Sequence, residues 1–270
     1  MVRRAFVRVG DGEIHYAEEG AGPPVLLLHQ TPRSWDEYRD VLPVLGERYR
    51  AIAMDTIGFG DSSRAPWPGS IERYAAVAAQ FLKDGLGIDR AGVVGHHTGG
   101  VIAFELAASR PELVEALVLS STPLVDPAFR RARAELGRPV VDGVDTAEDG
   151  SHLVALWQGR AGFYPPGRPD LLERFVRDAL KAGLPATHEG HRAVAEYAME
   201  GKLDAVRVPV LLIGATADPY AFPHLRSFAD ALPGSTVVEL EGGMVPLPDQ
   251  LPREFAAAVV DFLDAVRMPP

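Results

Sequence analysis

The sequence predicts an α/β domain in which a mostly parallel sheet is flanked by helices. Short runs rich in Val, Ile and Leu alternate along the chain with segments whose apolar residues recur every three or four positions, the helical period. Two of the runs, 25–28 and 210–213, are continuously apolar, as in strands that are covered on both faces. Strands that alternate with helices are joined by crossover connections, which favour a parallel arrangement.

Eight strands are expected. The first two, AFVRV and GEIHYAEE, alternate apolar with polar residues and predict an antiparallel hairpin at one edge, turned at Gly10, Asp11 and Gly12. The six strands that follow are predicted at 23–29, 48–55, 91–96, 114–120, 208–214 and 235–241.

Helices are expected between these strands, at 35–45, 71–86, 98–109, 223–232 and 253–266. The alternation stops between 124 and 203. Three helix-like segments occupy that region, at roughly 146–159, 169–182 and 187–200, with a Pro/Gly-rich break at 163–169. Because the strand pattern then resumes, we interpret 124–203 as a helical cap inserted into a core domain formed by 1–123 and 204–270.

Composition excludes several classes of protein. The 270 residues, 47% of them hydrophobic, suit one large domain with a buried core. The net charge is −10 and the most basic segment, 130–138, is interpreted as a solvated helix face, so no nucleic-acid partner is expected. The absence of cysteine excludes disulfides and thiolate sites. No signal-peptide core or membrane-length apolar run is found, which predicts a cytoplasmic monomer or homodimer without a membrane partner.

Polar and glycine-rich motifs follow five of the predicted strands. Ligands of open α/β sheets bind beyond the carboxyl ends of the strands, so chemistry is expected there. The motifs are HQTPRSW (29–35), DTIGFGDSS (55–63), GHHTGG (95–100), GATADPY (214–220) and EGGMVPLPD (241–249).

In order and spacing these motifs resemble those of the α/β-hydrolase fold family, over essentially the whole chain. The resemblance implies a mostly parallel eight-stranded sheet with a helical cap. The positions that carry it are His29 of the oxyanion turn, Asp55, Gly58, Gly60 and Ser62 of the Asp-x-x-Gly-x-Gly-x-Ser loop, Gly95 and Gly99 of the nucleophile elbow, and Asp218 of the acid loop.

Two positions depart from the family pattern. The nucleophile elbow is a sharp strand-to-helix turn, and its centre here is His97. The family's catalytic histidine follows the Gly-Gly turn after the last strand, a position held here by Met244, and no histidine follows His224. A Ser–His–Asp mechanism therefore lacks its serine and its base, whereas the acid, Asp218, remains.

The paired loss suggests that the site has been reassigned. With Met244 at the position of the family's catalytic histidine, the space that the imidazole of that histidine would fill is open. A His97 side chain that enters this space would meet the Asp218 carboxylate. In the resulting dyad, Asp218 fixes the tautomer and the His97 imidazole acts as a general base. Asp126, just after strand 114–120, is the alternative acid, because some family members place it there.

The parts that would stabilise a negative oxygen are retained. The backbone N–H of Thr98, at the start of helix 98–109, is predicted to form an oxyanion hole with that of Thr31 or Gln30. The residues predicted to line the substrate pocket are His29, Arg33, Trp35, Tyr220 and Met244.

These parts predict an enzyme that acts on a small, largely apolar molecule. Water activation against an ester or lactone-like substrate is the first choice. A lyase, isomerase or cyclase that transfers protons in a biosynthetic pathway is the alternative, and a non-catalytic binding protein with a degenerate triad is the third. No cofactor or metal is expected, since no phosphate loop, dinucleotide fingerprint or metal motif is found.

Overall fold

A computed structural model describes residues 1–10, 12–66, 68–136 and 144–267. Eight strands form one sheet, in the order β1-β2-β4-β3-β5-β6-β7-β8. They are β1 (Arg3–Val9), β2 (Gly12–Glu19), β3 (Pro24–Leu28), β4 (Arg50–Met54), β5 (Ala91–His96), β6 (Val114–Ser120), β7 (Val210–Ala215) and β8 (Thr236–Leu240). The predicted eight-stranded sheet is confirmed.

The sheet is parallel except at one edge. Strand β2 runs antiparallel to both of its neighbours, β1 and β4, and the other pairs are parallel. The β1–β2 pair is the expected edge hairpin, although Asp11 of its turn lies outside the described residues. Strands β5 and β7 are buried along their whole length, because helices cover both faces of the sheet.

Ten α-helices are found among the described residues. They are α1 (Leu42–Leu45), α2 (Ile71–Gln80), α3 (Thr98–Ser109), α4 (Pro127–Leu136), α5 (Ser151–Ala161), α6 (Pro169–Ala182), α7 (Leu184–Glu196), α8 (Leu225–Ala231), α9 (Leu247–Gln250) and α10 (Pro252–Arg267). The predicted helix 35–45 is divided between a 3-10 helix at Trp35–Tyr38 and α1, and α2 passes into a π-helical turn at Phe81–Gly85. None of these helices combines the length and apolar character needed to span a bilayer.

Apolar side chains fill both faces of the sheet. Consecutive strand residues point to opposite faces, so Val93 and Val94 of β5 belong to different clusters. Val93 packs in the cluster that contains Phe104 of α3, and Val94 in the cluster that contains Phe255 of α10. The sheet is thus the middle layer of three, and its strand ends emerge between two layers of helices.

Helices α4 to α7, which we call the helical insertion, lie between β6 and β7. Four helices are present where three were predicted, because the basic segment interpreted as a helix face contributes α4; its residues 137 and 138 lie outside the described part. The insertion has an apolar cluster of its own, which includes Leu156 of α5 and Leu171 and Phe175 of α6.

A buried ion network ties the insertion to the rest of the fold. The fully buried Arg33 pairs with Asp178 of α6 at 2.9 Å and with Asp249 of α9. Arg174 of α6 pairs with Asp36 at 2.7 Å and with the same Asp249 at 2.9 Å. Burial raises the pKa of Asp249 to about 6, although both guanidinium groups oppose the shift. The network is therefore sensitive to the loss of either cation.

Replacement of Arg33 by Met is expected to lower the free energy of unfolding by about 3–5 kcal/mol, because it removes the cation paired with buried Asp178 and one of the two paired with buried Asp249. Arg177→Met is the matched control, since Arg177 is about half exposed and contacts Asp36 only from outside, at 3.5 Å. Its cost is expected to stay below about 1 kcal/mol. Urea denaturation measures both, and equal losses would show that Arg33 has no special role.

Candidate active site

His97 occupies the sharp turn between β5 and α3. Its backbone has φ 47° and ψ −114°, a backbone conformation that residues other than glycine rarely adopt. Such a conformation costs on the order of 1–3 kcal/mol. Two hydrogen bonds hold it: the His97 N–H donates to the Ser120 carbonyl of β6 at 3.0 Å, and the His97 carbonyl accepts from the Val101 N–H at 3.1 Å.

The turn is closed by contacts that only glycine permits. A Cβ on Gly95 would overlap the backbone of Gly99, and a Cβ on Gly99 would overlap the Leu28 carbonyl at the end of β3. A Cβ on Gly100 would overlap the Thr122 side chain. The glycines of GHHTGG are therefore a packing requirement, which brings α3 directly against the strand ends.

The imidazole of His97 points toward Asp218, three residues beyond the end of β7. His97 Nε2 and Asp218 Oδ2 lie 2.7 Å apart. The two atoms are close, but their alignment is poor: within the described structure neither atom makes a well-directed hydrogen bond. Since Nε2 faces the carboxylate, Nδ1 is the ring nitrogen left to exchange a proton with a bound molecule.

The Asp218 carboxylate is buried and ionised. Its Oδ1 accepts the backbone N–H groups of Tyr220 at 2.9 Å and Ala221 at 3.2 Å. Burial raises the pKa of Asp218, but the charge of His97 and the hydrogen bonds to the carboxylate outweigh burial and bring the pKa down to about 2. Asp218 therefore carries a negative charge at neutral pH.

Asp126, the alternative acid, has a different partner. It lines the same cavity as His97, but its Oδ1 accepts the N–H of Phe129 at 2.7 Å and so caps the first turn of α4. Of the two candidate acids, Asp218 is the one that the structure brings to His97.

His96, beside His97 in the sequence, is held within the fold. Its Nε2 donates to the Val245 carbonyl at 2.8 Å, which leaves Nδ1 to accept from the Ser120 hydroxyl at 3.0 Å. Burial and the positive charge of His97 lower the pKa of His96 to about 3. His96 is thus a neutral side chain that connects β5, β6 and the loop before α9.

His29 is also structural, which corrects its assignment to the substrate pocket. Its Nδ1 donates to the Gln30 carbonyl at 2.9 Å, and its Nε2 accepts the Thr56 N–H at 3.0 Å. Burial lowers the pKa of His29, and the side chain does not line the cavity. Both ring nitrogens are occupied in bracing two loops.

One of the two alternatives for the second oxyanion-hole donor, Gln30, is wrong. The N–H of Gln30 donates to Glu37 Oε2 at 2.9 Å, and the Gln30 amide donates to Glu37 Oε1 at 2.6 Å. Gln30 is therefore not available as a backbone donor, contrary to one of the two alternatives. Thr31 and Thr98 both line the cavity, and Thr98 is the first residue of α3, where N–H groups have no partner within the helix.

A cavity of about 700 Å³ lies between the strand ends and the helical insertion. The strand ends and their loops contribute Gln30, Thr31, His97, Thr98, Pro123, Tyr220 and Val245. The insertion contributes Ala128, Phe129, Ala132, Arg133, Arg160, His191 and Val194. Tyr220 is thus the one predicted pocket residue of five that the structure places on the cavity wall.

Arg33, predicted at the pocket, is buried in the ion network instead. Trp35 packs beneath the guanidinium groups of Arg4 and Arg39, at 5.1 and 5.8 Å from its ring centre, and does not line the cavity. Met244 lies in the turn before α9, where its N–H donates to Gln250 Oε1 at 2.7 Å. The next residue, Val245, reaches the cavity in its place.

The insertion residues of the cavity wall were missed by the sequence interpretation. Helical periodicity locates α4, α5 and α7 but does not say which helix face covers the strand ends. No local signal distinguishes Arg160 from the surface residues around it.

One group of side chains has the spacing of a metal site. Ligand atoms of His15, Asp55 and Asp61 lie within 4.8 Å of one another. Yet Asp55 accepts the N–H groups of Trp35 and Asp61 and contacts His15 Nδ1 at 2.8 Å, while Asp61 pairs with Lys181 at 2.5 Å. These hydrogen bonds and ion pairs explain why the three side chains lie together: they hold the loop after β4 in place.

The pattern of strands and glycine turns agrees with a match to known sequences. Residues 23–244 match the family model of the alpha/beta hydrolase fold. The chain belongs to the α/β-hydrolase fold family. Its fold is also that of a hydrolase from Pseudomonas aeruginosa PA01, with a TM-score of 0.82, 24% identity and coverage of 97% of this chain and 98% of that one.

Curated relatives in this family are hydrolases. The soluble epoxide hydrolase of Corynebacterium sp. strain C12 is 42% identical over 106 residues, which is 39% of this chain and 37% of that protein. Haloalkane dehalogenase 2 of Mycobacterium tuberculosis H37Rv is 41% identical over 112 residues, 41% of this chain and 39% of the dehalogenase. The aligned part thus spans about two fifths of either relative.

Gly99→Ala is expected to lower the free energy of unfolding by about 1–3 kcal/mol or more, because the added Cβ meets the Leu28 carbonyl and backbone cannot move aside easily. Gly162→Ala is the matched control: it lies at the end of α5 with φ −68° and no atom within 4 Å of its Cβ. Urea denaturation compares them, and a neutral Gly99→Ala would contradict the close packing of the turn.

The low pKa of Asp218 predicts acid-dependent stability. The folded state binds the Asp218 proton more weakly than the unfolded chain, so the stabilisation is full above about pH 4 and is lost as the pH falls toward about 2. The difference in unfolding free energy between the wild type and Asp218→Asn should therefore shrink as the pH is lowered from 5 through 3. A difference that does not change with pH over this range would argue against an ionised Asp218.

Proposed function

We propose that the protein is a cofactor-independent hydrolase in which His97 activates water for attack on the carbonyl carbon of a small ester or lactone. The observation that carries the proposal is the contact between His97 and Asp218 at the cavity wall. It joins an ionised, buried carboxylate to an imidazole that retains 15% side-chain exposure. The relatives' names, an epoxide hydrolase and a dehalogenase, support hydrolysis as the reaction class.

The first step is addition of water. Asp218 keeps the proton on His97 Nε2, so that Nδ1 accepts a proton from the water molecule as its oxygen bonds to the carbonyl carbon. A positioned general base of this kind accelerates a reaction by about 10²–10⁴-fold. The negative charge that develops on the carbonyl oxygen is stabilised by the N–H groups of Thr98 and Thr31, with a contribution of ~3 kcal/mol from each donor.

The second step is release of the leaving group. The bond between the carbonyl carbon and the alkoxide oxygen breaks, and His97 returns its proton to the departing oxygen. One water is consumed, and the products are a carboxylic acid and an alcohol, joined in one molecule when the substrate is a lactone. The ring is used in the opposite sense from a serine-protease triad, in which the acid holds Nδ1 and Nε2 transfers the proton.

The proposal predicts that His97→Ala and Asp218→Asn each reduce kcat for 4-nitrophenyl acetate or δ-valerolactone by about 10²–10⁴-fold, because each removes the base or its orientation. Asp126→Asn is expected to retain activity within a few-fold, since asparagine also caps a helix. His152→Ala, which removes an imidazole from α5 outside the cavity wall, controls for the loss of a histidine. An Asp126→Asn defect as large as that of Asp218→Asn would overturn the choice of acid.

Stopped-flow measurement of 4-nitrophenol release separates direct water attack from covalent catalysis. With water as the nucleophile no acyl-enzyme accumulates, so release should be linear from the first turnover and a fluorophosphonate probe should not label the protein. A burst, or labelling, would contradict the proposal. Exchange of a substrate α-proton for deuterium without ester cleavage would instead support the lyase or isomerase alternative.

A further inference from the structure

Arg160 is a buried cation without a counter-ion in the described structure. It lies in the last turn of α5, is 8% exposed and lines the cavity that contains His97. Its guanidinium lies over the Phe175 ring, 4.6 Å from the ring centre, and its Nε has no hydrogen-bond partner among the described residues. A cation–π contact offsets only part of the cost of removing a charge from water.

Two other arginines are buried in the part of the chain that the structure describes, and both have acidic partners. Arg33 pairs with Asp178 and Asp249, and Arg174 with Asp36 and Asp249. A guanidinium cannot relieve its burial by losing its proton, so such pairing is the usual solution. Arg160 is the exception among the three, and it is the one that faces the cavity.

A second guanidinium lies on the same side. Arg133 of α4 lines the cavity and is half-buried. Burial raises the pKa of the Tyr220 hydroxyl, and the charges of both Arg160 and Arg133 act against that rise. The Tyr220 ring packs against the Phe163 ring, with ring centres 4.9 Å apart and the ring planes tilted by 43°. Arg160 and Arg133 both belong to the insertion and both line the cavity, so we call the insertion side of the cavity its positively charged end.

We propose that this end of the cavity is a carboxylate-binding subsite, in which Arg160, flanked by Arg133, holds an anionic group of the substrate while its ester or lactone carbonyl lies at His97. The inference rests on the proposed function and refines its substrate class. The sequence predicts a largely apolar substrate; the cavity instead suits a molecule with an apolar middle, a reactive carbonyl at one end and a carboxylate at the other.

A carboxylate is the ligand that best matches these groups. The planar guanidinium presents paired N–H donors that fit the two oxygens of a carboxylate, and such charged hydrogen bonds are strengthened where water is excluded. Among the described residues of the cavity wall, Asp126 is the one with an acidic side chain, and its carboxylate caps α4. A bound carboxylate would therefore supply the charge that Arg160 lacks.

A matched pair of esters tests the subsite by kinetics. Mono-4-nitrophenyl glutarate and 4-nitrophenyl pentanoate have the same chain length and differ in the terminal carboxylate. Arg160→Met should lower kcat/KM for the glutarate ester by about tenfold to a hundredfold, the range for hydrogen bonds to a charged group, and leave the pentanoate ester within about twofold. Arg168→Met removes one charge from an exposed position at the N-terminus of α6 and should change neither. Equal losses on both esters would overturn the subsite.

Binding of glutarate, measured by calorimetry, distinguishes failure of this inference from failure of the proposed reaction. Glutarate should bind the wild type and His97→Ala with similar affinity, and Arg160→Met should weaken it at least about tenfold, with Arg160→Lys in between. Arg160-dependent binding without turnover of either ester would support the subsite and reject the hydrolase. Turnover of both esters, together with glutarate binding that does not depend on Arg160, would support the hydrolase and reject the subsite.

The stability of the unliganded protein provides an independent check. Because Met keeps most of the apolar stem and removes an uncompensated charge, Arg160→Met should unfold at the same temperature as the wild type or higher. Glutarate should raise the Tm of the wild type but not that of Arg160→Met. A Tm that falls by several degrees without ligand would show that Arg160 is a structural residue and would refute the proposal.

Discussion

The site depends on one constraint, the close approach of α3 to the ends of β3 and β5. Gly95 and Gly99 allow backbone to meet backbone there, and the turn between them forces His97 into a conformation with positive φ. The same packing that stores this strain fixes two other parts of the site. It places the Thr98 N–H at the free end of a helix, and it directs the His97 ring across the sheet toward the loop after β7.

Three histidines lie near the strand ends, but burial separates their roles. His29 and His96 have both ring nitrogens engaged and are kept neutral by desolvation. His97 alone of these three reaches the cavity, with an ionised Asp218 behind it. One imidazole is therefore open to a bound molecule while its neighbours hold the loops in place, which is the separation that a general base requires.

The helical insertion combines attachment with recognition. Part of its buried attachment to the rest of the fold is ionic, through Arg33, Arg174 and their shared Asp249, and each of these two buried arginines pairs with carboxylates. Arg160 departs from that rule, and it does so where the insertion faces His97 across the cavity. In the proposed subsite, attachment of the insertion and recognition of the substrate would thus use the same side-chain type, and the difference is whether the protein supplies the anion.

The sequence by itself determined the sheet and the glycine turn, because strand periodicity and glycine spacing are local properties. It also showed that the serine of the elbow and the histidine after the last strand are missing, since the identity of a residue is read directly from the sequence. It also led to the pairing of His97 with Asp218, since family order places both at strand ends. Only the tertiary structure decided which side chains line the cavity. Arg33 was predicted at the pocket and lies buried against carboxylates 145 and 216 positions away, whereas Arg160, without any local signal, faces the cavity. The pairing of buried charges depends on contacts distant in sequence, and no local pattern encodes which arginine will find a partner.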